Sequence, residues 1–154
     1  GEKITFGGKS DDSQIPGQLF NNLNSQFLPR INLFKSNFPE NVCFYGEGVG
    51  AKIQKGGGNY SKEQKFVLFD VLIGDWWLRR ADVEYIAGLF GLETAPIIGN
   101  GTLLQMVELA KIGFNSNWGD FLAEGIVARP AVELKARNGN RIITKIKYKD
   151  FIRA

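Results

Sequence analysis

At 154 residues, with 44% apolar and 23% charged side chains, the chain has the length of one domain and the material for a sizeable core, including twelve Phe and three Trp. It has no His and a single Cys, which excludes His-based acid–base chemistry, His metal sites and an internal disulfide, and leaves hard, oxygen-bound ions such as magnesium as the metals to expect. The net charge of +3 and pI near 9.0 are compatible with an anionic partner.

Cys43 lies between Val42 and Phe44 and is expected to be a buried thiol. A reducing compartment, such as the cytoplasm, follows from that cysteine usage. No apolar run approaches the roughly 20 residues of a membrane helix, and no signal-peptide pattern is present.

In chain order, residues 3–6 read as a short strand. Gly7-Gly8-Lys9-Ser10 then begins a turn-rich loop in which Lys9 has the chemistry to approach a phosphate. Leu19, Phe20, Leu23, Phe27, Leu28, Ile31 and Phe34 recur at helical spacing after Pro16, with a kink or break expected at Pro29. Residues 41–50 read as a strand. In it, Glu47 stands between Gly46 and Gly48, which would leave room for a ligand against the backbone. A carboxylate there is suited to accept a hydrogen bond from a sugar hydroxyl.

Residues 52–65, with three glycines at their centre, read as a mobile loop. The near-continuous apolar run 65–73 predicts a buried strand. Asp70 is its anomaly, because a buried carboxylate needs partners or a cation. A turn at Gly74-Asp75 leads into Trp76-Trp77-Leu78. A helix from about Arg80 closes at Gly91, and residues 94–98 form a short strand whose Pro96 makes it an edge or a strand start. A second helix starts after Thr102, a plausible cap, and runs to Gly113.

The C-terminal stretch carries the densest chemistry. Glu124 opens a strand-like run that ends at Arg129-Pro130. Asn138-Gly139 is a hairpin signal, and Lys145, Lys147 and Lys149 alternate along the next arm on one face. A carboxylate beside aligned ammonium groups suits a metal and a polyphosphate together. The alternation taken alone equally describes a solvated edge strand guarded by lysines. Strands with interspersed helices and no internal repeat give a mixed α+β class.

Four pieces in order, Tyr45-Gly46-Glu47-Gly48, Phe69-Asp70-Val71, Glu124-Gly125-Ile126-Val127-Ala128-Arg129-Pro130 and Lys145-Ile146-Lys147, resemble collinear motifs of the covalent nucleotidyltransferases. Within that superfamily the chain looks most like the ATP-dependent RNA ligase family of phage enzymes and trypanosome editing ligases. Trp76-Trp77-Leu78 and the Gly8-Lys9 loop also look like that family, so the resemblance covers nearly the whole chain. It implies a nucleotidyltransferase (ATP-grasp-like) fold, with antiparallel sheets flanked by helices and one ligase catalytic domain over residues 1–154. ATP and Mg2+ are the implied cofactors, and RNA, more than DNA, the implied partner.

By position, the resemblance implies that Glu47 holds the ribose and Phe69 stacks on adenine. Lys9 meets phosphate where the family usually has Arg, without the planar bidentate contact an Arg makes. Glu124 would position the magnesium, and Lys145 and Lys147 would meet the phosphates as catalytic groups. The family's nucleophile, a lysine in Lys-x-Asp/His-Gly, occurs nowhere in the sequence. The resemblance puts it roughly 20 residues before Lys9, where it would form a lysyl–AMP intermediate. The expectation is therefore an N-terminally truncated domain that does not adenylate itself, completed by a missing segment or a partner chain. The chain ends seven residues after Lys147, so no OB-fold domain is expected. Two alternatives stay open: a non-catalytic nucleotide- or RNA-binding remnant, and a minimal DNA ligase domain.

Overall fold

The computed structural model describes residues 3–10, 12–51, 53, 61 and 63–152. Most of the glycine-rich stretch between 52 and 62, expected to be a mobile loop, lies outside the described residues, as does Asp11 in the loop after Lys9. The chain divides into two compact units, Gly1–Ala95 and Pro96–Ala154.

In the first unit, the helical periodicity after Pro16 becomes α1 (Gly17–Phe27), a 3-10 turn (Leu28–Arg30) and α2 (Ile31–Asn37). The break falls at Pro29, which cannot donate to the preceding turn. Two long strands follow, β1 (Val42–Val49) and β2 (Lys65–Ile73), which pair antiparallel. The short β3 (Trp76–Trp77) folds back on Leu72 and Ile73. After α3 (Arg80–Phe90), β4 (Glu93–Thr94) pairs parallel to Val67 and Leu68. Gly91 ends α3 in the left-handed region, φ 60°, which costs a residue without Cβ little.

Two expected strands are not formed as read. Residues 3–6 make no ladder among the described residues, although Ile4 and Phe6 do pack against the core. The short strand over 94–98 shrinks to Glu93–Thr94, because Pro96 has no N–H to continue the pairing.

The core of this unit lies between the helices and one face of the sheet. Leu19, Leu23 and Phe27 from α1, Leu68 and Val71 from β2, and Val83, Ile86 and Phe90 from α3 are buried together. Aromatic rings dominate it. Phe34 sits 4.5 Å from Phe90 and 5.1 Å from Phe44, and Phe27 lies edge-on to Phe66 at 5.7 Å. The Arg80 Nη2 donates to Thr94 Oγ1 (2.9 Å) and the Ala95 carbonyl (2.7 Å), tying the start of α3 to β4.

In the second unit, α4 (Leu103–Ile112) begins with a full capping box. The Gln105 N–H donates to Thr102 Oγ1 at 3.3 Å, and the Thr102 N–H donates to Gln105 Oε1 at 2.8 Å. The helix packs on a two-stranded antiparallel sheet, β5 (Gly125–Ala128) and β6 (Thr144–Lys147). Ile126 pairs with Ile146, and Ile126 and Ala110 of α4 are buried. The Asn138-Gly139 signal is realised as the tip of the connecting hairpin, with Gly139 at φ 85°. The architecture is the expected mixture of helices and antiparallel sheet, with the single β2–β4 pairing parallel among the described strands.

Candidate functional site

The sheet of the first unit has a helix-covered face and an open face, and the register decides which residues reach each. On β1, Val42 and Phe44 turn toward the core, so Cys43, Tyr45 and Glu47 share the opposite face. Cys43 is therefore exposed, against the expectation of a buried thiol. The apolar neighbours that suggested burial are partly buried themselves because they alternate with it.

Gly46 and Gly48 also fall on the core side. A Cβ at Gly46 would stand 2.4 Å from Phe66 Cζ, and one at Gly48 would stand 2.4 Å from Leu19 Cδ2. These glycines make room for aromatic packing and for α1, not for a ligand beside Glu47.

Phe69 owes its position to a break in register. Tyr45 pairs with Asp70 and Gly46 with Leu68, which leaves Phe69 as an extra residue on β2. Phe66 and Leu68 before the bulge, and Val71 and Ile73 after it, all belong to the core side. The bulge absorbs the change of parity and leaves Phe69 and Asp70 side by side. Phe69 is 36% exposed, whereas Asp70 is buried and engaged by its neighbours, as a carboxylate in an apolar strand requires.

A cleft of about 1150 Å³ in this unit is lined by Lys9, Glu47, Phe69 and Asp70 among others. Lys9, Glu47 and Phe69, separated by up to 60 positions in sequence, are thus among the residues that line one cavity, together with core side chains such as Phe27 and Phe44. Lys9 lies in a loop tightened by Ser10 and Ser13, whose hydroxyl oxygens are 2.7 Å apart. One feature escaped the sequence. Tyr45 packs on Trp77 with ring centroids 4.9 Å apart, on the same face as Glu47. Alternation along β1 was the available signal, since Tyr45 is two residues from Glu47. A hydrogen bond with the Cys43 thiol is the largest cause holding the Tyr45 phenol above its ordinary range, with burial next.

In the second unit, Glu124, Lys145 and Lys147 converge. Glu124 Oε1 is 2.8 Å from Lys147 Nζ and 3.4 Å from Lys145 Nζ. The pairing of Gly125 with Lys147 and Val127 with Lys145 puts both lysines on one face beside the start of β5. The Tyr148 N–H donates to the Glu124 carbonyl at 3.0 Å and fixes the backbone there. Gly125 makes the approach possible. It adopts φ 156°, and a Cβ would stand 2.1 Å from the Ile146 carbonyl oxygen. Lys149 does not join the row, because β6 gives way to a 3-10 turn at Tyr148–Asp150 and the strand alternation stops.

The ion pair shifts both partners. The Lys147 hydrogen bond is the largest cause holding the Glu124 carboxyl below its ordinary range, with burial opposing and Lys145 assisting. The same bond holds the Lys147 ammonium above its ordinary range. A lone carboxylate between two ammonium groups is not a protein-only metal cage, and no cluster of three or more metal-ligating side chains exists among the described residues. Both ammonium groups face the same oxygen, Oε1, so a hard ion held by this carboxylate would have to bring further, anionic oxygen ligands of its own.

The sequence profile of a family described as RNA ligase matches residues 7–148. No curated protein sequence matches the chain. Among solved structures, the chain is similar to a lysine-to-alanine mutant of a Naegleria gruberi RNA ligase with ATP and Mn. The TM-score is 0.65 at 16% identity, over 93% of this chain and 45% of that one. A second lysine-to-alanine mutant of a Naegleria gruberi RNA ligase, in the apo state, gives 0.63 at 18% identity, over 93% and 45%. A glutamate-to-alanine mutant with AMP and Mn gives 0.62 at 19% identity, over 86% and 39%. The chain thus spans less than half the length of these proteins, and at such identities the likeness is one of fold.

Proposed function

The chain belongs to the RNA ligase family, and on that premise we propose that it is an ATP-dependent ligase-type domain that seals RNA ends. Phe69 stacks on the adenine and Glu47 accepts a hydrogen bond from the ribose. Lys9 adds positive charge toward phosphate. Lys145 and Lys147 take the phosphates. Glu124 offers a carboxylate oxygen to a divalent ion, which when bound neutralises phosphate charge and aligns its oxygens. The observation that carries the reading is the convergence of Glu124 with Lys147 at 2.8 Å and Lys145 at 3.4 Å, in a family whose chemistry is phosphoryl transfer.

The sealing step needs these groups and no protein nucleophile. An RNA 3′-hydroxyl loses its proton and attacks the phosphorus of an adenylated 5′ end. A new 3′-oxygen-to-phosphorus bond forms, the phosphoanhydride breaks, and AMP leaves with its negative charge. Ammonium groups fixed at that phosphate stabilise the charge as it develops.

The test is a nicked RNA duplex whose 5′-phosphate is already adenylated, incubated with the chain and magnesium. Sealed strand is expected from the wild type, with the yield falling at least tenfold for Glu124→Ala. ATP binding without sealing would instead support the second reading, a binding-only remnant. Neither binding nor sealing would refute both. Preference for a nicked DNA duplex would move the substrate to DNA.

A further inference from the structure

We propose that the hairpin ribbon joining β5 to β6 is a contact surface for the phosphate backbone of RNA, distinct from the residues assigned to the nucleotide. The proposal rests on the ligase-type reading for the identity of the polyanion; the surface itself is argued from charge and geometry.

Residues 129–143, between the two strands, carry four Lys or Arg and one acid, Glu133. That is +3 in a chain whose total is +3, so the remaining residues are balanced overall. Lys145 and Lys147 already face Glu124. The others lie along or beside a short hairpin with a single isolated bridge. The Ile142 N–H donates to the Leu134 carbonyl at 2.9 Å, and the Ala136 N–H donates to the Asn140 carbonyl at 2.7 Å. Lys135 and Arg141 are directly cross-strand. Arg137 stands exposed at the tip.

Like charges directly opposite one another weaken a two-stranded ribbon. Here the cost is met by Glu133, whose carboxylate takes Arg141 Nε at 2.5 Å and Nη2 at 2.9 Å. That bidentate pair is mostly buried, with side-chain exposures of 14% and 22%. Glu133 therefore holds the Arg141 arm in register while the ribbon keeps its net positive charge. Strand alternation puts Leu134 and Ile142 on the opposite face from Lys135 and Arg141. A narrow ribbon that exposes Lys135 on one face and Arg137 at its tip is suited to neighbouring phosphates of a backbone. Such contacts add affinity without reading sequence.

The experiment measures binding of a fluorescein-labelled RNA duplex to the whole chain by anisotropy across a range of salt concentrations. The double variant Lys135→Ser, Arg137→Ser is expected to bind roughly tenfold more weakly near 0.1 M salt. Its log–log salt dependence should be shallower by about 1–2, the loss of up to two phosphate contacts. ATP binding should be unchanged. The charge-conserving pair Lys135→Arg, Arg137→Lys should restore both affinity and slope, which separates charge from folding. Unchanged affinity and slope in the serine variant would overturn the proposal. So would weakening produced only by Leu134→Ser with Ile142→Ser, which would assign the aliphatic face to a protein partner. A wild type that binds ATP but no RNA would overturn the ribbon's role while leaving the nucleotide reading in place. A wild type that binds neither would remove both.

Discussion

The first unit draws its order from aromatic carbon, the second from charge and close backbone approach. In Gly1–Ala95, rings from α1, α2, β1, β2 and α3 interlock, and Leu68, Val71, Val83 and Phe90 are fully buried. In Pro96–Ala154, the buried apolar residues among those described are Ala110 and Ile126. Leu104 and Ile112 on α4 are more than three-quarters exposed. The regular features of the second unit are instead a capping box, a glycine that admits a backbone crossing, and carboxylates held by cations. The two sets of candidate residues therefore sit on different kinds of support. Glu47 and Phe69 are presented by a sheet stabilised elsewhere, through its other face. Glu124, Lys145 and Lys147 largely hold one another.

The largest effect that sharpens this contrast is Phe90→Ala. Truncating a fully buried ring in the aromatic cluster is expected to cost about 3–5 kcal/mol of the first unit's stability, read by urea denaturation. A loss under about 1 kcal/mol would break the claim that this cluster carries the unit.

Phe69→Ala removes a ring from the same unit with the opposite signature. The ring is partly open and set on a bulge, so stability should change by about 1 kcal/mol or less. ATP affinity should fall about 5- to 150-fold, the equivalent of about 1–3 kcal/mol of base stacking, as measured by calorimetric titration. Equal losses of stability and affinity would mean the bulge is structural and the ring is not a ligand contact.

The smallest effect lies in the second unit. The Glu124 carboxyl is held below its ordinary range. Its contribution is complete above the ordinary carboxylate range and is lost as pH falls through its lowered value. Lys147 is held above its ordinary range, so its contribution is complete below the ordinary lysine range and is lost as pH rises through its raised value. The pair is open to solvent, so its stability effect is small, and site-resolved titration is the sensitive measurement. In Lys147→Met, the carbon NMR midpoint of Glu124 should move up toward the ordinary range, with Lys145 still assisting. An unmoved midpoint would show that Lys147 is not the principal partner.

Much of this was legible in the chain itself. Helical spacing located α1, α2 and α3, and Pro29 located the break. Gly91 and Thr102 marked helix ends because their backbone roles are local. Asn138-Gly139 marked a hairpin for the same reason. The family was legible through four collinear motifs, which also named the candidate site residues. The misreadings share a cause: they needed a partner that sequence does not name. Cys43 was misjudged because strand alternation, not neighbour composition, decides burial. Gly46 and Gly48 were misassigned because the atoms they make room for come from Phe66 and Leu19. Lys149 was carried one step too far because the end of β6 is set by its pairing with β5.

Composition and local pattern by themselves determined that this is a mixed α+β chain, without histidine chemistry, carrying candidate carboxylates, an aromatic ring and a cationic arm in a fixed order. Those are properties of residue types and of contacts a few positions apart. Only the tertiary structure decided which of them meet. An extra residue at Phe69 shifts a register and leaves that ring partly open. A glycine at 125 lets a backbone cross close to Lys147. The pairing of β5 with β6 then brings two lysines to one glutamate. Register and close approach are relations between distant segments, and a period of two or of 3.6 residues holds no record of them.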